Sequence, residues 1–67
     1  MKQYKERITS KQWDTCDYHV KEGWKAFAFV QGFMYLQKGF YFIEVDQEGY
    51  YSELEAEELV QLWGLEK

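Results

Sequence analysis

The sequence predicts an α+β fold: a small antiparallel sheet of three to four strands, ordered as a meander, with a C-terminal helix and an N-terminal helix. Three observations predict it. Runs of aromatic and β-branched residues are punctuated by short glycine-bearing turns. A capping sequence leads into apolar residues at helical spacing near the end of the chain. The 67 residues contain no Pro and no linker, repeat or low-complexity tract, so residues 1–67 read as one domain.

The N-terminal third has two readings. Thr9-Ser10-Lys11-Gln12 forms a capping box, and Trp13, Cys16 and Val20 share one face of a helix running to Gly23. Cys16, Tyr18 and Val20 also alternate as a strand would, but length and the cap favour the helix. Trp24 to Leu36 reads as one bent strand or two short ones, with Gly32 as a bulge. Gln37-Lys38-Gly39 then turns the chain into a strand over Phe40–Val45. Asp46-Gln47-Glu48-Gly49 is a second turn, followed by Tyr50-Tyr51. For the C-terminal helix, Ser52 is the expected N-cap and Glu55 its N3 partner. Glu53, Glu55, Glu57 and Glu58 then lie at the positive end of the helix dipole. Ala56, Leu59, Leu62 and Trp63 line the apolar face, with Val60 beside it and a Gly64-Leu65 stop.

The strands lack the apolar–polar alternation of a sheet with one wet face. In Trp24–Gln31 the parity puts Trp24, Ala26, Ala28 and Val30 on one side and Phe27 and Phe29 on the other. In Phe40–Val45 it puts Phe40 and Phe42 opposite Tyr41, Ile43 and Val45. Both faces therefore need a cover. The C-terminal helix serves one, and the N-terminal segment, a second copy or a partner protein serves the other.

Composition narrows the function. One Cys forms neither an internal disulfide nor a zinc cage, and no apolar run reaches the roughly 18–20 residues of a membrane span. Met1-Lys2-Gln3-Tyr4 does not open a signal peptide, so the expected setting is cytoplasmic, without a membrane. Cys16 and His19 are helical neighbours with Asp14 and Asp17 nearby, yet no oxyanion-hole motif accompanies them and the ligand spacing matches no zinc pattern. Asp46-Gln47-Glu48-Gly49 lacks the alternating ligands of a calcium loop. The expectation is a non-enzyme with no cofactor.

Charge is uneven. Six bases and four acids precede residue 27, whereas two bases and eight acids follow, for a total of −4. Between Glu44 and Glu58 there are seven acids and no Lys or Arg. Aromatic strands suit stacked bases, but Lys25 and Lys38 alone make no phosphate-tracking groove, and Glu6 interrupts the arm of Lys2, Lys5, Arg7 and Lys11. Nucleic acid is thus a disfavoured partner, and a single-stranded nucleic-acid platform ranks last.

Acids beside six Tyr and three Trp instead suit a protein partner with a basic cleft. Phe40 to Gly64, an acidic aromatic hairpin followed by a helix, resembles in general character the small acidic inhibitors encoded by bacteriophages. Those include DNA mimics that block uracil-DNA glycosylase. The resemblance implies a non-catalytic inhibitor or adaptor and assigns no residue roles. The binding residues expected are Tyr41, Glu48, Tyr50, Tyr51, Glu53, Glu55, Glu57, Glu58 and Trp63. The competing expectation is a structural homodimer that buries an apolar sheet face against its own copy.

Overall fold

A computed structural model describes residues 4–55 and 57–60. The architecture is α+β. Helix α1 (Ser10–Lys21) precedes β1 (Lys25–Val30), β2 (Phe33–Lys38), β3 (Tyr41–Val45) and β4 (Tyr51–Glu53). The strands form one antiparallel meander in the order β1-β2-β3-β4, and a short helix follows at residues 57–60.

The ends of α1 are set by local chemistry. Thr9 is the N-cap: its hydroxyl accepts from the Gln12 N–H at 3.1 Å, while the Gln12 side chain accepts from the Thr9 N–H at 3.3 Å. At the other end, the Gly23 N–H donates to the Val20 carbonyl and the Trp24 N–H to the His19 carbonyl, with Gly23 at φ +102°. That is a Schellman stop, which a side chain at position 23 would strain. The helical reading of residues 9–22 therefore holds over the alternating one.

Helix α1 covers one sheet face. Cys16, Met34, Leu36, Ile43 and Val45 are buried there, with Ile8, Val20, Trp24, Ala26 and Phe29 packed against them. On the opposite face Ala28, Tyr35, Leu54 and Leu59 are buried beside the half-buried Phe27, Val30, Phe33 and Phe42. Both faces are apolar, as the missing alternation implied. The cover is divided between the N-terminal helix and the segment carrying Leu54 and Leu59.

Four local expectations are corrected. Gly32 is not a bulge: with Gln31 it forms a two-residue hairpin turn, both residues at positive φ, which matches strand twist. The bulge falls at Phe27, where the register slips between Ala26 and Ala28. The extra residue resets the alternation, so Ala26 and Phe29 face α1 while Phe27, Ala28 and Val30 face away. The next hairpin turns at Gly39-Phe40, and Phe40 is 98% exposed outside the strand.

The fourth correction concerns Ser52. It pairs with Glu44 inside β4 instead of capping a helix, and Glu53 pairs with Ile43. The Leu54 N–H then donates to the Phe42 carbonyl at 2.8 Å. The Glu55 carbonyl accepts from Glu58 and Leu59, so the helical turn begins after Glu55. Ala56, Leu62, Trp63, Gly64 and Leu65 lie outside the described residues.

Candidate functional site

Cross-strand register decides what the acidic, aromatic C-terminal half presents. Residues opposite one another in an antiparallel pair point to the same face. Val45 and Ile43 face α1, so Tyr51 and Glu53, their β4 partners, do so too, as does Tyr41 at the start of β3. Tyr41 is 63% exposed and Tyr51 59%. Tyr50, at the end of the turn, is 74% exposed. Its N–H donates to the Asp46 carboxylate at 3.0 Å, and the Glu48 N–H does the same at 2.9 Å. Asp46 thereby holds the turn in shape.

The expected acids are not one strip. Glu53 and Glu55 stand exposed at and just after the β4 edge. Glu58 belongs to the opposite face: its charge and that of Glu44 bear on Tyr35. Glu57 is exposed beside it in the chain. Glu48 is drawn away, its Oε2 lying 3.3 Å from the Lys11 Nζ on α1. Trp63 lies outside the described residues. The β4 edge itself carries Tyr51 and Glu53, with Glu55 just after it in the chain and Tyr41 on the neighbouring strand β3. Lys38 pairs with Tyr41 across β2 and β3, but its Nζ donates to the Glu22 carbonyl at the end of α1, at 2.8 Å.

Residues near the front of the chain join this surface. The His19 ring is met edge-on by Tyr51 at 4.6 Å, by Tyr18 at 5.3 Å and by Trp24 at 5.7 Å between centroids. Its Nδ1–H donates to the Thr15 carbonyl at 2.8 Å, which fixes the ring. Tyr18, 62% exposed, extends the aromatic surface across the helix end. Sequence reasoning grouped His19 with Cys16 and passed over Tyr18. The available signal was the Trp24 position after Gly23, since a Schellman stop brings that residue back onto His19.

Cys16 is inert by placement. It is fully buried in the α1 face of the core, and burial pushes its thiol up to about 11. A thiol held neutral at physiological pH is a poor nucleophile and metal ligand. Tyr35 is pushed up to about 12, first by burial, then by the charge of Glu44 and a hydrogen bond to its carboxylate, and last by Glu58. In both groups the folded pKa lies above the ordinary value, so their contribution is intact below about pH 9 and is lost as pH climbs through 11 and 12. The urea midpoint is expected to be flat for these groups below pH 9 and to fall above it. Cys16→Ser should remove the part of that fall between pH 9 and 11; an identical alkaline profile in the variant would contradict the assignment.

Among the described residues, no cluster of three or more His, Cys, Asp or Glu is arranged to hold a metal, and no helix is long and apolar enough to cross a membrane. Comparison with protein families, with curated proteins and with solved structures gives no match.

Proposed function

We propose that this chain is a non-catalytic protein-binding module, a small acidic inhibitor or adaptor that docks on a basic surface of another protein. One observation carries the reading. Tyr18, Tyr41, Tyr50 and Tyr51 remain largely exposed although the domain has two apolar clusters to fill, and Glu53, on the same sheet face as Tyr51, and Glu55 are exposed as well. Exposed tyrosines supply rigid contact area with a polar tip, which suits the centre of an interface. Neighbouring carboxylates raise the encounter rate with a cationic partner and orient it. A basic cleft built for a phosphate backbone is the partner class this charge fits best.

The test compares two double reversals of equal net charge. Glu53→Lys with Glu55→Lys is expected to abolish capture of the partner from native lysate, with an unchanged circular dichroism spectrum. Asp14→Lys with Asp17→Lys, on α1, is expected to leave capture intact. Equal loss in both would reduce the effect to overall charge and sink the reading.

The half-buried Phe27, Phe33 and Phe42 on the face away from α1 favour a second reading, a homo-oligomer closed over those rings. It requires a melting temperature that rises with protein concentration.

A further inference from the structure

We propose that the outer edge of β4 is a docking strand, onto which a partner protein adds an extended segment bearing lysine or arginine. This deepens the protein-binding reading and rests on it. The ladder geometry comes first. The Asp46 N–H donates to the Tyr50 carbonyl at 2.9 Å, and the Leu54 N–H to the Phe42 carbonyl at 2.8 Å. Hydrogen-bonded and non-bonded pairs alternate along an antiparallel ladder. Glu44 and Ser52, midway between those two pairs, therefore form a bonded pair, and Val45/Tyr51 and Ile43/Glu53 are the non-bonded ones. The backbone N–H and C=O of Tyr51 and Glu53 consequently point away from β3. Among the described residues no strand takes them up.

The two sheet edges are not equivalent. The β1 edge carries the bulge at Phe27 and begins at Lys25, both of which deter pairing. The β4 residues Tyr51-Ser52-Glu53 include no Lys, Pro or bulge, and all three are exposed. An incoming strand would run its side chains past Tyr51 and Glu53 on the α1 face, with Tyr41 behind them.

Charge chooses the occupant. The stretch from Glu44 to Glu58 contains seven acids and no base, so a second copy adding its own β4 would bring like charges together. A strand with a cation opposite Glu53 gains a cross-strand pair in addition to the ladder bonds. Exposed sheet edges recruit partners in this way when backbone bonds supply the affinity and alternate side chains the selectivity.

The probe is a capped peptide of about six residues alternating lysine and valine, the usual strand length. It is titrated against the full chain at low ionic strength by fluorescence anisotropy. The same peptide N-methylated on every residue keeps its charge but has no N–H donor on either edge with which to pair. We expect the methylated peptide to bind at least about tenfold more weakly, the equivalent of one or two net hydrogen bonds. Glu53→Pro should weaken the parent peptide similarly, since it deletes an outward donor and no ladder bond, while Glu53→Gln should reduce binding and its salt dependence. Should the proline variant unfold by circular dichroism, the methylated peptide still decides the matter on the wild-type chain.

Equal binding of both peptides would overturn the docking strand while leaving the basic-partner reading standing. Absence of any peptide binding overturns the docking strand, and the charge reversals above then judge the broader reading separately. Self-association of the chain without peptide, abolished by Glu53→Pro, would make a second copy the occupant and overturn the proposal.

Discussion

Replacing Gln12 with leucine is expected to cost the fold about 2–4 kcal/mol, although the two side chains are of similar size. Gln12 is 1% exposed and reaches from α1 to the Gln31-Gly32 turn and to the end of β3. Its Nε2 donates to the Gly32 carbonyl and to the Val45 carbonyl, each at 2.9 Å, and its Oε1 accepts from the Thr9 N–H. Leucine fills the space and withdraws all three bonds, which breaks the capping box and strips the donor from the Gly32 turn and from the end of β3 at once. A domain of this size has on the order of 3–10 kcal/mol in total. The melting temperature should therefore fall by roughly 10–30 °C. Gln12→Glu sharpens the test: a carboxylate aimed at two carbonyl oxygens should be worse than leucine at neutral pH. Its folded pKa would be raised, so stability should recover as pH falls toward the ordinary carboxylate range, with the recovery complete below it. A Gln12→Leu melting temperature within a few degrees of wild type would show that the helix is held by apolar packing alone.

The second large effect is expected at Gly49. Here φ is +85°, and a Cβ would stand 2.8 Å from the Lys11 carbonyl oxygen and 3.0 Å from the Thr15 hydroxyl. The obstacle is largely helix backbone, which cannot rotate aside. Around it Thr15 Oγ1 donates to the Gly49 carbonyl and Thr9 Oγ1 to the Gln47 carbonyl, both at 2.6 Å. Gly49→Ala combines left-handed strain with overpacking and should cost about 2–4 kcal/mol in urea unfolding. Gly39→Ala is the control: φ there is +60°, but nothing lies within 4 Å. It should cost about 1–2 kcal/mol, from conformation alone. Equal costs at the two glycines would mean that the helix does not press on the turn.

Some of the candidate surface was legible in advance. Tyr41, Tyr50, Tyr51, Glu53 and Glu55, each picked out by the sequence, are exposed. Glu48 and Lys11 were each visible, but not that they would meet across the turn at 3.3 Å. The aromatic ring set around His19 was hidden because its members come from α1, the residue after the Schellman stop, and β4. No spacing rule links Tyr18 to Tyr51; only the docking of α1 on the sheet does.

By itself the chain specified what nearest neighbours can specify. The Thr9–Gln12 capping box, the Gly23 stop, the Asp46–Gly49 turn and the apolar content of both sheet faces all depend on contacts a few residues apart or on composition. Ser52 and Phe27 were decided elsewhere. Ser52-Glu53-Leu54-Glu55 is a sound helix start in isolation, but in the folded chain Ser52 and Glu53 pair with β3 and Leu54 bonds back to Phe42, so the helix waits until Glu55 has passed. Phe27 bulges because β1 has to bring both Ala26 and Ala28 into register with β2, and that extra residue reverses which rings meet α1. Strand pairing links residues distant in sequence, and its free energy outweighs local preferences that differ by about 1 kcal/mol; that is why tertiary structure had the final word there.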